Sequence, residues 1–370
     1  MTPRNTAMSH VRDQVDQALR LFLRGQRAVL LGAGADLKPA LEAMAALLAT
    51  GKRLRPAFCY WGWRGAGGED CPEIFSAAAA LELLHAGALV HDDLMDASDT
   101  RRGQPSLHRQ FEAFHAAARW RGSPQAFGMG AAILLGDLLL CWTDELFHSS
   151  GLPADALLRG RPVLDRMRTE VFAGQYLDLF GQAGGDGSVE SALRVVEYKT
   201  AKYTIERPLQ LGAALAGAPV PAWLLDGSGA DRAGMAGSAE AGPGAPVAAA
   251  YAAYGIPLGV AFQLRDDILG VFGDPDQTGK PAGDDLREGK RTVLLGVTRA
   301  RATASQAAVI ARHLGNPLLD DAGTAEVREV ITESGALAEC ERMIDRHVAK
   351  AQAALTAAPL SREVKDALAE

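Results

Sequence analysis

The chain has 370 residues, 48% of them hydrophobic and 22% charged. That balance supplies a large core and excludes a disordered chain, a collagen-like fibre and a coiled-coil rod. A net charge of −7 argues against a general nucleic-acid or anionic-membrane surface, yet leaves room for a local basic cluster facing a phosphorylated substrate.

The N-terminus, MTPRNTAMSHVRDQVDQ, has no apolar core of a signal peptide. Cys59, Cys71, Cys141 and Cys340 are scattered without a CxxC pair, so neither a zinc site nor a disulfide scaffold is expected, and a cytoplasmic location is. From there on, Ala and Leu recur at three- and four-residue spacing, as in LEAMAALLAT (41–50) and ALELLHAGALVHDDLMD (80–96), which predicts helices. Gly/Pro/Ser breaks fall at 64–72, 149–153 and 181–188. The uncharged stretches 208–225 and 241–264 are long enough to cross a membrane. Their prolines, and the run of the second into Arg265-Asp266-Asp267, make them buried helices instead, with no membrane span expected. Residues 226–247 are Gly/Ala/Pro/Ser-rich and read as a flexible insertion, after which the helical pattern resumes. The expectation is one all-α domain over 1–370.

Chemistry concentrates first in His91-Asp92-Asp93-Leu94-Met95-Asp96. On a helix Asp92 and Asp96 share a face, and Asp93 lies about 100° round the axis. Carboxylates at the end of an apolar helix repel one another and oppose the dipole unless cations neutralise them. Oxygen ligands suit Mg²⁺. A second acidic pair, Asp266-Asp267, follows Gln263 at the end of another apolar run. Two such pairs facing one another across a cavity would hold divalent cations around one polyanion. Basic clusters accompany them: Lys52-Arg53-Leu54-Arg55, Arg101-Arg102-Gly103, Lys199-Thr200-Ala201-Lys202, and Lys280 with Lys290-Arg291. Arg and Lys are the usual phosphate-binding side chains. Gly32-Ala33-Gly34 lacks the third glycine of a dinucleotide fingerprint, and Gly273 to Lys280 breaks the P-loop spacing.

In this order, GKRLRP, HDDLMD followed by RRG, YKTA, FQLRDD and GKxxGDDxxxGK (279–290) over about 41–345 resemble the trans-isoprenyl diphosphate synthases, the polyprenyl synthetase family. The resemblance implies an isoprenoid-synthase fold, an antiparallel helical bundle around a central cavity, a homodimer, and about three Mg²⁺ ions per active site. Asp92, Asp93, Asp96, Asp266 and Asp267 match the metal motifs, with Asp92 and Asp96 the most direct ligands. Lys52, Arg55, His85 and Arg102 match the isopentenyl diphosphate pocket. Arg101, Lys199, Lys280 and Lys290 match groups holding the allylic diphosphate, and Thr200 and Gln263 match polar groups near the reacting carbon. The implied reaction condenses isopentenyl diphosphate with an allylic diphosphate. A farnesyl or longer-chain synthase, or a catalytically silent subunit of a heteromeric synthase, are the alternatives.

Two departures stand out. The second motif ends in Gly270 where a third Asp is common, with Asp274 one turn on as a water-mediated substitute. Lys290 also sits one residue further along than in some relatives. Product length is read from the turn before Asp92, where Gly87 and Ala88 are small and cannot block a growing chain. A product beyond farnesyl is therefore expected, geranylgeranyl diphosphate, with Leu84 or the next helix (129–140) as a possible floor and Gly87→Phe expected to shorten it.

Overall fold

The structure, a computed structural model, describes residues 4–184, 187–220, 245–273 and 283–370. Lys280 and Asp274, and most of the 226–247 insertion, lie outside these residues. The fold is all-α. Among the described residues the exception is a two-residue antiparallel pair, β1 (Thr100–Arg101) with β2 (Gln104–Pro105), in register Thr100↔Pro105 and Arg101↔Gln104.

The chain groups into two compact units. The first comprises Met1–Val163, Pro208–Ala248 and Pro359–Glu370. It holds α1 (Arg4–Ala33), α2 (Lys38–Leu48), α3 (Leu54–Gly65), α4 (Pro72–Met95), α5 (Leu107–Ala117), α6 (Pro124–His148) and the opening of α7 (Ala154–Gly184). The second comprises Leu164–Arg207 and Ala249–Ala358. It holds the rest of α7, then α8 (Val189–Val195) and a π-helix (Val196–Glu206) that lead into α9 (Arg207–Leu215). Most of α10 (Ala245–Phe272) follows, then α11 (Asp284–Arg287), α12 (Val293–Arg301), α13 (Ala304–His313), α14 (Asp321–Glu333) and α15 (Ala336–Ala357). The last helix, α16 (Arg362–Leu368), returns to the first unit.

The centre of the first unit is α4, flanked by α1, α3 and α6. Pro72 opens α4 at a position where a missing N–H costs nothing. Its Ala/Leu-rich middle, from Ala77 to Leu84, is buried on every side, so this helix is apolar all round because it is surrounded. Gly62 of α3 lets the backbone of Leu209 approach: a Cβ there would stand 2.7 Å from the Leu209 carbonyl carbon. In the second unit α10, α11, α12, α14 and α15 share a core of Val260, Leu264, Ile268, Leu286, Leu294, Ile331 and Cys340.

Among the described residues, three helices are long and apolar enough to cross a membrane by length and composition: α4, α6 and the Pro246–Phe272 part of α10. Pro257 sits inside α10 without ending it. The apolar window of α4 is 72% buried, whereas that of α6 is only 39% buried. The difference lies in an outward face of α6 carrying Phe127, Met129, Ile133 and Leu134, the last 69% exposed.

Candidate functional site

The first unit builds one group of site residues around the end of α4. That helix stops in a Schellman arrangement: Ala97 enters the left-handed region (φ 52°), its N–H donates to the Leu94 carbonyl, and Ser98 N–H donates to the Asp93 carbonyl. Asp92 and Asp96 thus sit one turn apart at the carbonyl end of a buried helix, both half-buried. Asp93 points elsewhere. It is 3% exposed, and Arg101 donates to its Oδ1 from both Nε (2.8 Å) and Nη2. The same guanidinium lies 3.7 Å from Asp92 Oδ2. The structure therefore separates the three aspartates: Asp93 anchors Arg101, while Asp92 and Asp96 keep the shared helix face.

Arg101 and Arg102 occupy the hairpin. Arg102 and Gly103 both have positive φ (54° and 74°), the two-residue turn that matches strand twist. Arg102 reaches the Thr50 carbonyl (2.5 Å) and Thr50 Oγ1 (3.0 Å), at the end of α2 where unpaired carbonyls welcome a cation. Arg53 is 3% exposed and donates to Asp16 (2.7 Å) and Glu82 (2.8 Å). It clamps the Gly51–Arg53 loop and leaves Lys52 exposed and Arg55 half-exposed. Burial first, then the charges of Arg55, Arg102, Arg101 and Arg53, hold His85 well below the ordinary histidine range. The neutral imidazole of His85 is therefore the favoured form, through burial first and then the charges of Arg55 and Arg102.

The second unit builds another group on the π-helix. Its i→i+5 bonding, which is rare and concentrated at functional sites, presents Lys199 and Thr200. Gly174 of α7 and Gly259 of α10 flank it: a Cβ on Gly174 would stand 3.0 Å from Lys199 Cα, and one on Gly259 would press on Ala201 Cβ at 2.6 Å. Thr200 Oγ1 donates to Gln263 Oε1 (2.6 Å), and Gln263 Nε2 donates to Asp267 Oδ1 (2.9 Å). Lys199 Nζ donates to Asp178 Oδ2 (2.7 Å). Asp266 is exposed and Asp267 is 4% exposed. Burial, and after it the charges of Asp285 and Asp266, push the Asp267 carboxyl up to about 7, against the pull of the Gln263 bond. Lys290 Nζ pairs with Glu288 (2.5 Å) and Asp285 (3.4 Å).

Beneath the π-helix lies a buried ionic network. Arg207, with no exposed surface, donates from Nε and Nη2 to the two oxygens of Glu170 (2.7 and 2.8 Å). Lys202 adds a contact to Glu170 (3.3 Å) and lies 4.0 Å above the Tyr198 ring. Sequence reasoning missed Asp178, Glu170, Arg207 and Asp285. Glu170 and Asp178 lie apart from any acidic cluster, and Asp178 sits within the apolar run GQYLDLF.

For chain length, Gly87 is buried against α6: a Cβ there would meet the Gly136 carbonyl oxygen and Leu140 Cδ2 at 3.0 Å each. Its smallness serves that helix contact. Leu84 is fully buried, and Ala88 is half-buried. Bulk at Ala88, one position on, is not blocked by the Gly87 contact with α6 in the same way.

Residues 38–225 and 230–333 match the polyprenyl synthetase family. The chain belongs to that family. Polyprenyl synthetases are trans-prenyltransferases acting on isoprenyl diphosphates. A crystal structure of geranylgeranyl pyrophosphate synthase from Corynebacterium glutamicum, complexed with isoprenyl diphosphate and magnesium, is 39% identical at a TM-score of 0.86, covering 98% of this chain and 96% of that one. Geranylfarnesyl diphosphate synthase of Aeropyrum pernix is 30% identical over 315 residues, 84% of this chain and 85% of its own. A (2E,6E)-farnesyl diphosphate synthase of Mycobacterium bovis is 30% identical over 302 residues, 80% of this chain and 71% of its own. These polyprenyl synthetases carry three different product names, so similarity assigns the chemistry and leaves the product length open.

Proposed function

We propose that this polyprenyl synthetase condenses isopentenyl diphosphate with an allylic diphosphate to give geranylgeranyl diphosphate, as a cytoplasmic, Mg²⁺-dependent homodimer without a membrane span. The observation that carries the reading is the positive charge that Arg55 and Arg102 bring to His85, in the unit that bears the Asp92/Asp96 face of α4. An anionic diphosphate is the complement of that charge, and divalent cations are the complement of that face.

The donor set fits Mg²⁺. Asp92 and Asp96 share one helix face of the first unit, and such a carboxylate pair suits an ion that takes one or two carboxylates and completes its shell with water and phosphate oxygens. When bound, Mg²⁺ would neutralise the diphosphate leaving group. In the second unit, the positive charge of Lys199 would suit an allylic diphosphate, and the Thr200–Gln263 pair offers polar atoms beside it. In the first unit, the neutral His85 would donate a hydrogen bond to the isopentenyl diphosphate. Arg55, Lys52 and Arg102 hold that second diphosphate so that its double bond faces the developing cation.

The test is to incubate the purified protein with Mg²⁺, isopentenyl diphosphate and each allylic primer, and to identify products by mass spectrometry. Geranylgeranyl diphosphate, lost on chelation, is expected. Another length would retire the product assignment, and no product with any primer would retire the enzyme reading in favour of a silent subunit. Ala88→Phe is expected to shift the profile to shorter products; an unchanged profile would refute a tunnel running past this turn. The exposed apolar face of α6 supports the dimer. Leu134→Asp is expected to convert a dimer to a monomer in light scattering, and a wild-type monomer would refute the assembly.

A further inference from the structure

The last turn of α4 is less enclosed than the rest of the helix. Met95 is 42% exposed and Leu94 half-buried, and the turn ends in carbonyls that no intrahelical N–H reaches. A turn of that kind can twist about its axis, and Asp92 would swing with it. Two side chains oppose the motion, one on either flank of Asp92. Asp93, about 100° round the axis in one sense, is held by Arg101. His91, about 100° round in the other sense, faces α6.

His91 has a seat on that helix. A Cβ on Gly136 would overlap the imidazole Nε2 and stand 2.9 Å from Cε1, so only glycine leaves room for the ring. Nε2 lies 3.3 Å from the main-chain carbonyl of Ile133. A carbonyl oxygen can only accept, so Nε2 carries the proton and donates it. The acceptor is the backbone of α6, which cannot turn away as a side chain can. Asp137 Oδ1 lies 3.5 Å from the same nitrogen, but its side chain is 61% exposed and a pair of that kind contributes little. One turn earlier, the close approach of Gly87 to the Gly136 carbonyl holds the two helices together.

From this seat we infer that His91 is a positioning residue: lodged over Gly136 and bonded to the Ile133 carbonyl, it fixes the rotation of the last turn of α4 and so the direction in which Asp92 and Asp96 point. It acts through those aspartates. Asp93 with Arg101 and His91 with α6 are then the two stays of one carboxylate face. The inference rests on the prenyl synthase reading above.

The experiment combines steady-state kinetics with calorimetric titration of Mg²⁺ into the full-length protein in the presence of inorganic diphosphate, with thermal melts of each variant in parallel. His91→Leu keeps the bulk and loses the donor. It is expected to lower kcat about tenfold and to weaken Mg²⁺ binding to a similar degree, the scale of losing the support of a metal ligand. The KM for isopentenyl diphosphate should not change. His91→Gln, whose amide N–H can reach the same carbonyl, is expected to recover most of both losses. Gly136→Ala unseats the ring and should resemble His91→Leu. Added to His91→Ala, however, it should cost nothing further, because its Cβ then meets no ring. Wild-type kcat and Mg²⁺ binding in His91→Leu would overturn the inference. So would a His91→Gln that melts like the wild type yet fails as badly as His91→Leu, and so would additive losses in the double variant. Wild type that makes product while every variant matches it sinks this inference alone. Wild type that neither binds Mg²⁺ with diphosphate nor makes product sinks the synthase reading with it.

Discussion

Asp92→Ala is expected to lower kcat/KM by about a thousandfold, on the scale of losing a preorganised stabiliser of transition-state charge, while leaving the melting temperature unchanged or slightly raised. The reason for the second half lies in where the residue sits. Asp92 is at the carbonyl end of α4, where the helix dipole opposes a negative charge, and Arg101 approaches it only to 3.7 Å. Asp93→Ala should behave in the opposite way. It removes both hydrogen bonds that Arg101, whose side chain is 17% exposed, makes to Asp93, and losing a charged hydrogen-bond partner costs about 2 kcal/mol. Its effect on rate would arise through Arg101. Steady-state kinetics and urea unfolding of the two variants separate these roles. Equal stability losses in both would refute the division of labour within the motif.

The second large effect is expected at Arg207. Replacing it with Met leaves Glu170 buried with only Lys202 at 3.3 Å, and breaking a buried pair by removing one partner costs about 3 kcal/mol or more. Burial by itself would raise the Glu170 pKa; the Arg207 hydrogen bonds, with the charges of Arg207 and Lys202, outweigh it and hold the carboxyl below its ordinary value. A group whose folded pKa is depressed contributes stability that is present above its unfolded pKa, about 4.3 for Glu, and is lost as pH falls through the folded value. The wild type should therefore lose stability towards pH 4 and below, and Arg207→Met should lose less of it over that interval. Urea midpoints at a series of pH values measure both. Parallel pH curves for the two proteins would show that the network is not what ties stability to pH. Because the pair lies under the π-helix, Arg207→Met should also disturb Lys199 and Thr200 and depress kcat.

Much of this was legible in the residues. The helical period, the absence of strand patterning and the breaks at 64–72 and 149–153 fall where α3, α4, α6 and α7 begin and end. The matched motif series names Arg55, His85, Arg102, Thr200, Gln263 and Asp267 separately; the hydrogen-bonded chain Thr200–Gln263–Asp267 is seen only in the structure. What could not be read is of another kind. Asp93 looks equivalent to Asp92 in sequence, and only the hairpin that brings Arg101 back makes it an anchor. Gly87 looked like open space below the reacting centre, whereas its neighbour across α6 gives it a packing role. Arg53 looked like one of three phosphate ligands, yet Asp16 and Glu82 claim it for the fold.

Sequence by itself determined the fold class and the chemistry, because helical periodicity and the carboxylate and basic motifs are local properties of neighbouring residues. The tertiary structure decided which charge each side chain meets. Glu170 finds Arg207 and Lys199 finds Asp178 across separations of 37 and 21 residues, and such pairings depend on how helices pack rather than on any pattern along the chain.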